Sequence, residues 1–268
     1  MPVASLTNKT TVLTPASGLR RGVVVFIHGL GGGTPPAIPI PIVDIPTGIL
    51  PQYMLTLANS LTADGWVVIQ PPYSDDFHVV SNPQGVYNDV NSDAGHGSQY
   101  LTQTLHWWDH VIAYIKATYG NWPVTMIGWS WGGWHALQIA ANRMSTLTAY
   151  VVHHPVTILS NLAVNYPPDF RTGINTTGLD AGAHILDAVT IPGNIGWGTT
   201  DGVVGYNLLG TGGTPVSNTT DIYNNAVAAS RPVTSNPQSG SHTFTTTDAG
   251  VYAAWFTSTV DPLCPKTY

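Results

Sequence analysis

Five consecutive apolar residues, Val23-Val24-Val25-Phe26-Ile27, stop abruptly at His28-Gly29. A strand without polar alternation has to be covered on both faces, the condition of a strand inside a parallel sheet. Similar runs return at 66–69, 124–127 and 147–152, and helical patterns fill 52–63, 98–118 and 131–144 between them. In the second of these helices Leu101, Leu105, Trp108, Ile112 and Ile115 share one face. Strand and helix in strict alternation imply right-handed crossovers and a sheet with helices on both faces. A strand at 191–197, a helix at 221–229, a strand near 232–235 and a helix at 247–258 extend the pattern. Residues 30–51, 71–97 and 198–220 read as loops. Residues 155–188 read as an irregular insert, a lid or part of a pocket wall. The expectation is one doubly wound, mostly parallel α/β domain over residues 1–268.

Composition narrows the function classes. The formal charge is −6 with only 8 Lys+Arg, and no basic cluster is visible. Duplex nucleic acid carries about one charge per 1.7 Å, so a binder needs a cationic footprint that this chain lacks. Polybasic membrane anchoring is disfavoured for the same reason. No apolar stretch approaches the roughly 18 residues of a membrane helix. The single cysteine, Cys264, excludes an intramolecular disulfide and a cysteine-based zinc site. Charged residues make up 8%, so the polar surface must come from Thr, Ser, Asn and Gln. That surface suits a secreted protein, although MPVASLTNKT lacks the charged and then apolar start of a signal peptide. The expected location is therefore extracellular, with the cytoplasm as the other option.

The chemistry centres on Gly128-Trp129-Ser130-Trp131-Gly132. With 28 glycines in the chain, a G-x-S-x-G match alone is weak, and its placement carries the weight. It follows a buried strand and opens a helix, where a sharp turn exposes the serine hydroxyl. The helix N-terminus favours negative charge developing there. A serine needs a base to become a nucleophile, so a histidine and an acid are required downstream, in the order Ser, acid, His. Asp201, in the turn after the strand at 191–197, and His242, in the loop after the last strand, meet that demand. Asp187, inside an expected helix, and Asp221, an expected N-cap, are the rival acids. Of ten histidines only His242 lies beyond Asp201.

These residues resemble the α/β-hydrolase superfamily: a small-residue elbow around serine, a G-x-x-D-like turn and a late G-x-H-like loop, over about residues 20–258. The resemblance implies the α/β-hydrolase fold, with Ser130 as nucleophile, His242 as general base and acid, and Asp201 as the orienting acid. Acyl transfer also needs oxyanion donors, each worth roughly 3–4 kcal/mol. The first is expected from the amide of Trp131. His28-Gly29-Leu30-Gly31-Gly32 is similar to the HG-x-G-G turn of compact bacterial lipases, which implies the Leu30 amide as the second.

Trp129, Trp131, Trp134 and Trp197 flank the expected site, and aromatic walls suit an apolar acyl group, an aromatic ester or a sugar ring. Trp129 and Trp197 are the expected substrate contacts, and Trp134 has packing in the core as an equal alternative. The elbow is similar to those of cutinase-like esterases and of prolyl-oligopeptidase-type peptidases. A carboxylic ester, small or polymeric, is the expected substrate, with peptidase as the alternative. A hydrolase-fold binding protein without catalysis is the other class, and an acyltransferase would share the same residues. The proline-rich run 34–41 could rim the cleft. Asp89, Asn91 and Asp93 begin like a calcium loop but lack its glycine and glutamate in register. His106 and His110 form an i, i+4 pair without an evident third ligand. No metal and no cofactor is expected. His153-His154, at the end of a strand, reads as packing, with one ring lining the pocket as the alternative.

Overall fold

The computed structural model describes residues 11–16, 18, 20–27, 52–71, 96–157, 181–199, 201, 208–209, 215–216, 218–240 and 242–267. Leu30, the proline-rich run, the Asp89 to Asp93 turn and residues 158–180 of the expected insert lie outside them.

The chain runs β1 (Thr11–Leu13), β2 (Gly22–Ile27), α1 (Gln52–Ala63), β3 (Trp66–Gln70), α2 (His96–Tyr119), β4 (Val124–Trp129), α3 (Trp131–Arg143) and β5 (Ala149–His153). It continues with β6 (Gly193–Gly198), β7 (Leu208–Leu209), β8 (Pro215–Val216), α4 (Asn218–Ala228), β9 (Val233–Gln238) and α5 (Thr246–Trp255). Among the described residues, seven strands form one sheet in the order β1-β3-β2-β4-β5-β6-β9. All its pairings are parallel except that of β1 with β3. The mostly parallel sheet expected from the apolar runs is therefore the architecture.

Four details depart from the expectation. β1 is an antiparallel edge strand of three residues, too short to stand out as a periodic run. β7 and β8 pair inside a segment read as loop. The strand expected at 147–152 starts at Ala149, because a 3-10 turn at Met144–Thr146 extends α3 and the Leu147 amide donates to Met144 O. The last helix leaves α-helical register at Trp255 and continues as a π turn, Phe256–Val260.

Every residue of β2 is buried, and alternation divides them between two cores. Val23, Val25 and Ile27 join Trp107, Trp108, Trp134 and Leu137 on the α2/α3 face. Val24 and Phe26 join Met54, Leu57, Tyr252 and Trp255 on the α1/α5 face. Order reverses about β2, with β3 on one side and β4 on the other. In such sheets ligands bind beyond the strand carboxyl ends near this switch point. The register Trp129↔His153↔Gly196↔Asn236 brings the ends of β4, β5, β6 and β9 side by side. Ser130, His154, Asp201 and His242 each follow one of these ends.

Candidate active site

Ser130 is the turn between β4 and α3, with φ +58° and ψ −118°. A residue with a Cβ is strained there, and surrounding bonds hold it. Its amide donates to His153 O at 3.0 Å, and its carbonyl accepts from the amides of Gly133 and Val156 at 2.9 and 3.0 Å. The turn is this sharp because strand and helix nearly touch. A Cβ on Gly128 would collide with Gly132 O and lie 2.7 Å from Ala136 Cβ. The Trp131 amide is the first of the helix, where amides have no intrahelical acceptor, and it stands beside Ser130.

His242 bridges serine and acid. Its Nε2 lies 2.9 Å from Ser130 Oγ and its Nδ1 2.8 Å from Asp201 Oδ2. A carboxylate only accepts, so Nδ1 carries the proton, and Nε2 accepts from the serine hydroxyl. On its C-terminal side the loop is tied down within three residues. Thr245 caps α5, its hydroxyl accepting from the Asp248 amide while Asp248 Oδ2 accepts from the Thr245 amide at 2.7 Å. Trp129 stacks on the imidazole, ring centroids 5.1 Å apart and planes at 26°.

Asp201 follows β6, its amide donating to Gly198 O at 3.2 Å. Burial alone would raise its pKa, but the N–H donors of His154 and His242 outweigh burial and hold it well below the usual carboxylate range. His154 is the residue that sequence reasoning placed in packing: its Nδ1 donates to the same Asp201 Oδ2 at 2.7 Å. One signal was legible, since His154 stands one residue beyond β5 as Ser130 does beyond β4.

Behind it, His153 is fully buried. Its Nε2 donates to Thr243 O at 3.1 Å, and its Nδ1 accepts from the Tyr252 hydroxyl at 2.6 Å. Burial, helped by the nearness of His154, pushes its pKa well below the ordinary histidine value. A neutral His153 makes no ion pair with Asp248, whose Oδ2 is 4.0 Å from Nε2. Gly196 makes room for this layer, since a Cβ there would strike the Tyr252 hydroxyl and lie 2.7 Å from His153 Nδ1.

The remaining expected residues are placed elsewhere. Trp197 is one step out of register with Gly196, so it points to the opposite face and packs against Tyr223 in the core. Trp134 is fully buried in that core. Asp187 lies in a run of turns rather than a helix and accepts from His184 Nδ1 at 2.8 Å. Asp221 is exposed in the first turn of α4. Among the described residues, the one group of three metal-ligating side chains with converging atoms is His154, Asp201 and His242, within 4.8 Å. Hydrogen bonds already join those atoms, and His106 and His110 are not among them.

No family model and no curated protein sequence matches the chain. Its structure nevertheless superposes on solved hydrolases. Over 92% of the chain it matches Pyrococcus horikoshii acylaminoacyl peptidase, with a TM-score of 0.65 and 10% identity. Esterase PE8 matches over 94%, with a TM-score of 0.58 and 16% identity, and the match spans 99% of that esterase. The chain has the α/β-hydrolase fold. A third protein of this fold, Est1E from Butyrivibrio proteoclasticus, was solved with ferulic acid bound and matches over 94% of both chains, with a TM-score of 0.56 and 13% identity. The chain spans only 38% of the length of the peptidase.

Proposed function

We propose that this protein is a serine hydrolase that cleaves carboxylic esters through an acyl-enzyme on Ser130. The observation that carries this reading is the continuous hydrogen-bond series from Ser130 Oγ through His242 to Asp201, with contacts of 2.9 and 2.8 Å. In the first step Oγ attacks the ester carbonyl carbon while its proton passes to His242 Nε2. Asp201, ionised and fixed, stabilises the imidazolium that results. The oxyanion forms against the Trp131 amide, with the Leu30 amide as second donor. The intermediate collapses, and Nε2 returns the proton to the departing alkoxide. Water then attacks the acyl-enzyme with His242 as base, and Ser130 is regenerated. Trp129, stacked on the His242 imidazole, is the proposed substrate contact beside the base.

Solved esterases that match nearly end to end support an ester substrate. The peptidase reading is the second, favoured by the likeness to acylaminoacyl peptidase. A fluorophosphonate is expected to label Ser130, and Ser130→Ala is expected to abolish both labelling and p-nitrophenyl ester hydrolysis. Undiminished hydrolysis in that variant would sink the serine mechanism. A panel of p-nitrophenyl esters with one peptide anilide separates the two substrate classes, and preferential anilide cleavage would favour the peptidase.

A further inference from the structure

Asp201 serves two histidines. Its Oδ2 accepts from His242 Nδ1 at 2.8 Å and from His154 Nδ1 at 2.7 Å, and only the first bond belongs to the series that reaches Ser130. His154 is 1% exposed, and its backbone sits at φ +46°. Few residues with a Cβ enter that left-handed region, and histidine, asparagine and aspartate do so more readily than most. The conformation is held in place because the His154 amide donates to Gly196 O on β6 at 2.8 Å. Its Nε2 is buried and has no hydrogen-bond partner among the described residues. An imidazole with one orphaned nitrogen is a costly way to fill buried space. Among the described residues, its one side-chain hydrogen bond goes to Asp201.

We infer that His154 is a positioning residue: it pins Asp201 Oδ2 and thereby governs how His242 is oriented and how readily it holds a proton. The inference rests on the serine hydrolase reading above. A carboxylate oxygen that accepts two N–H donors divides its charge between them, and less is left to favour a charged imidazole on either side. Removing His154 concentrates that charge on His242, so protons should compete for the base at higher pH.

The other polar groups around the pair remain in every variant. His153 lies against His154 with ring centroids 4.2 Å apart, and Tyr252 and Asp248 stand behind it. Asp248 is engaged with Thr245 at the start of α5. Ser130 and Trp129 lie against His242.

The test is the pH dependence of Ser130 labelling by a fluorophosphonate, a reading that does not require the natural substrate. It compares the unaltered protein, His154→Ala and His154→Asn. Asparagine sets an amide nitrogen near the place of Nδ1 and suits the left-handed backbone. Alanine is expected to move the acid limb up by about one pH unit and to slow labelling on the plateau about tenfold, the scale of one lost charge-assisted hydrogen bond. Asparagine is expected to restore the limb. An alanine variant that labels with an unchanged limb would overturn the inference alone, and so would asparagine shifting as far as alanine. Failure of the unaltered protein to label would overturn the serine hydrolase reading and this inference together. Imidazole ¹⁵N spectra of the unaltered protein supply a reading without variants. His154 is expected as the Nδ1–H tautomer, and the Nε2–H tautomer would overturn the proposal even if alanine fails to fold.

Discussion

At the scale of single residues, one carboxylate oxygen organises the site. Asp201 is buried, and two imidazoles that donate to it keep it ionised. An amide in its place would remove the charge and present its NH₂ or its carbonyl to both histidines, so His242 could take the wrong tautomer. Asp201→Asn is therefore expected to lower kcat by about 10⁴-fold with the fold intact, the scale seen when a triad acid becomes an amide. Ester hydrolysis together with circular dichroism checks this. A loss under tenfold would mean that Asp201 does not orient the base.

At the scale of elements, the β4–α3 junction carries the greatest steric demand. Gly128 lets the strand end meet the first turn of the helix, and any larger residue would push Gly132 O away. Gly128→Ala is expected to destabilise the protein by roughly 2–3 kcal/mol, as overpacked sites do. It should also slow Ser130 labelling, because the backbone that strains Ser130 would relax. Urea unfolding and the labelling rate measure the two effects. The G-x-S-x-G pattern was legible here because all of it is local: strand, turn and helix are contiguous in the chain. The pair formed by His154 and Asp201 was not, because 47 positions separate them and only strand order brings them together. Parity explains the tryptophans in the same way. Trp129 and Trp197 both sit near strand ends, but one residue of register puts them on opposite faces of the sheet.

At the scale of the molecule, the end of the chain is clamped to the start of the sheet. Arg21 reaches Asp64 at 3.0 Å and Asp261 at 3.2 Å, and Lys266 reaches Asp64 at 2.8 Å. Thr267 and Arg20 exchange backbone hydrogen bonds of 2.8 and 3.1 Å. Burial, and then the neighbouring Asp64 carboxyl, raise the pKa of Asp261 to about 6 from 3.8. A raised folded-state pKa means that the folded state keeps its proton where the unfolded state has lost it. The contribution of this group is thus full below about pH 4 and is lost as pH rises to about 6. Asp261→Asn cannot titrate and still offers an oxygen to the Trp66 indole N–H, now 3.1 Å from Asp261 Oδ1. Relative to the unaltered protein, the variant is expected to gain stability between pH 4 and pH 7, read from urea midpoints. If it loses ground over that range, the ion pair with Arg21 outweighs the burial of the charge.

The sequence by itself determined the class of the fold and the position of Ser130 on a strand-to-helix turn, and it singled out Asp201 and His242 as candidates. The first two follow from local periodicity and from residues adjacent in the chain, and the candidates from their order along it. Tertiary structure alone decided that β5 lies between β4 and β6. That placement sets His154 beside Asp201, and it gives the acid a second donor that spacing along the chain could not reveal. Pairing between strands depends on which faces the helices cover, and that is a property of the assembled core rather than of any one segment.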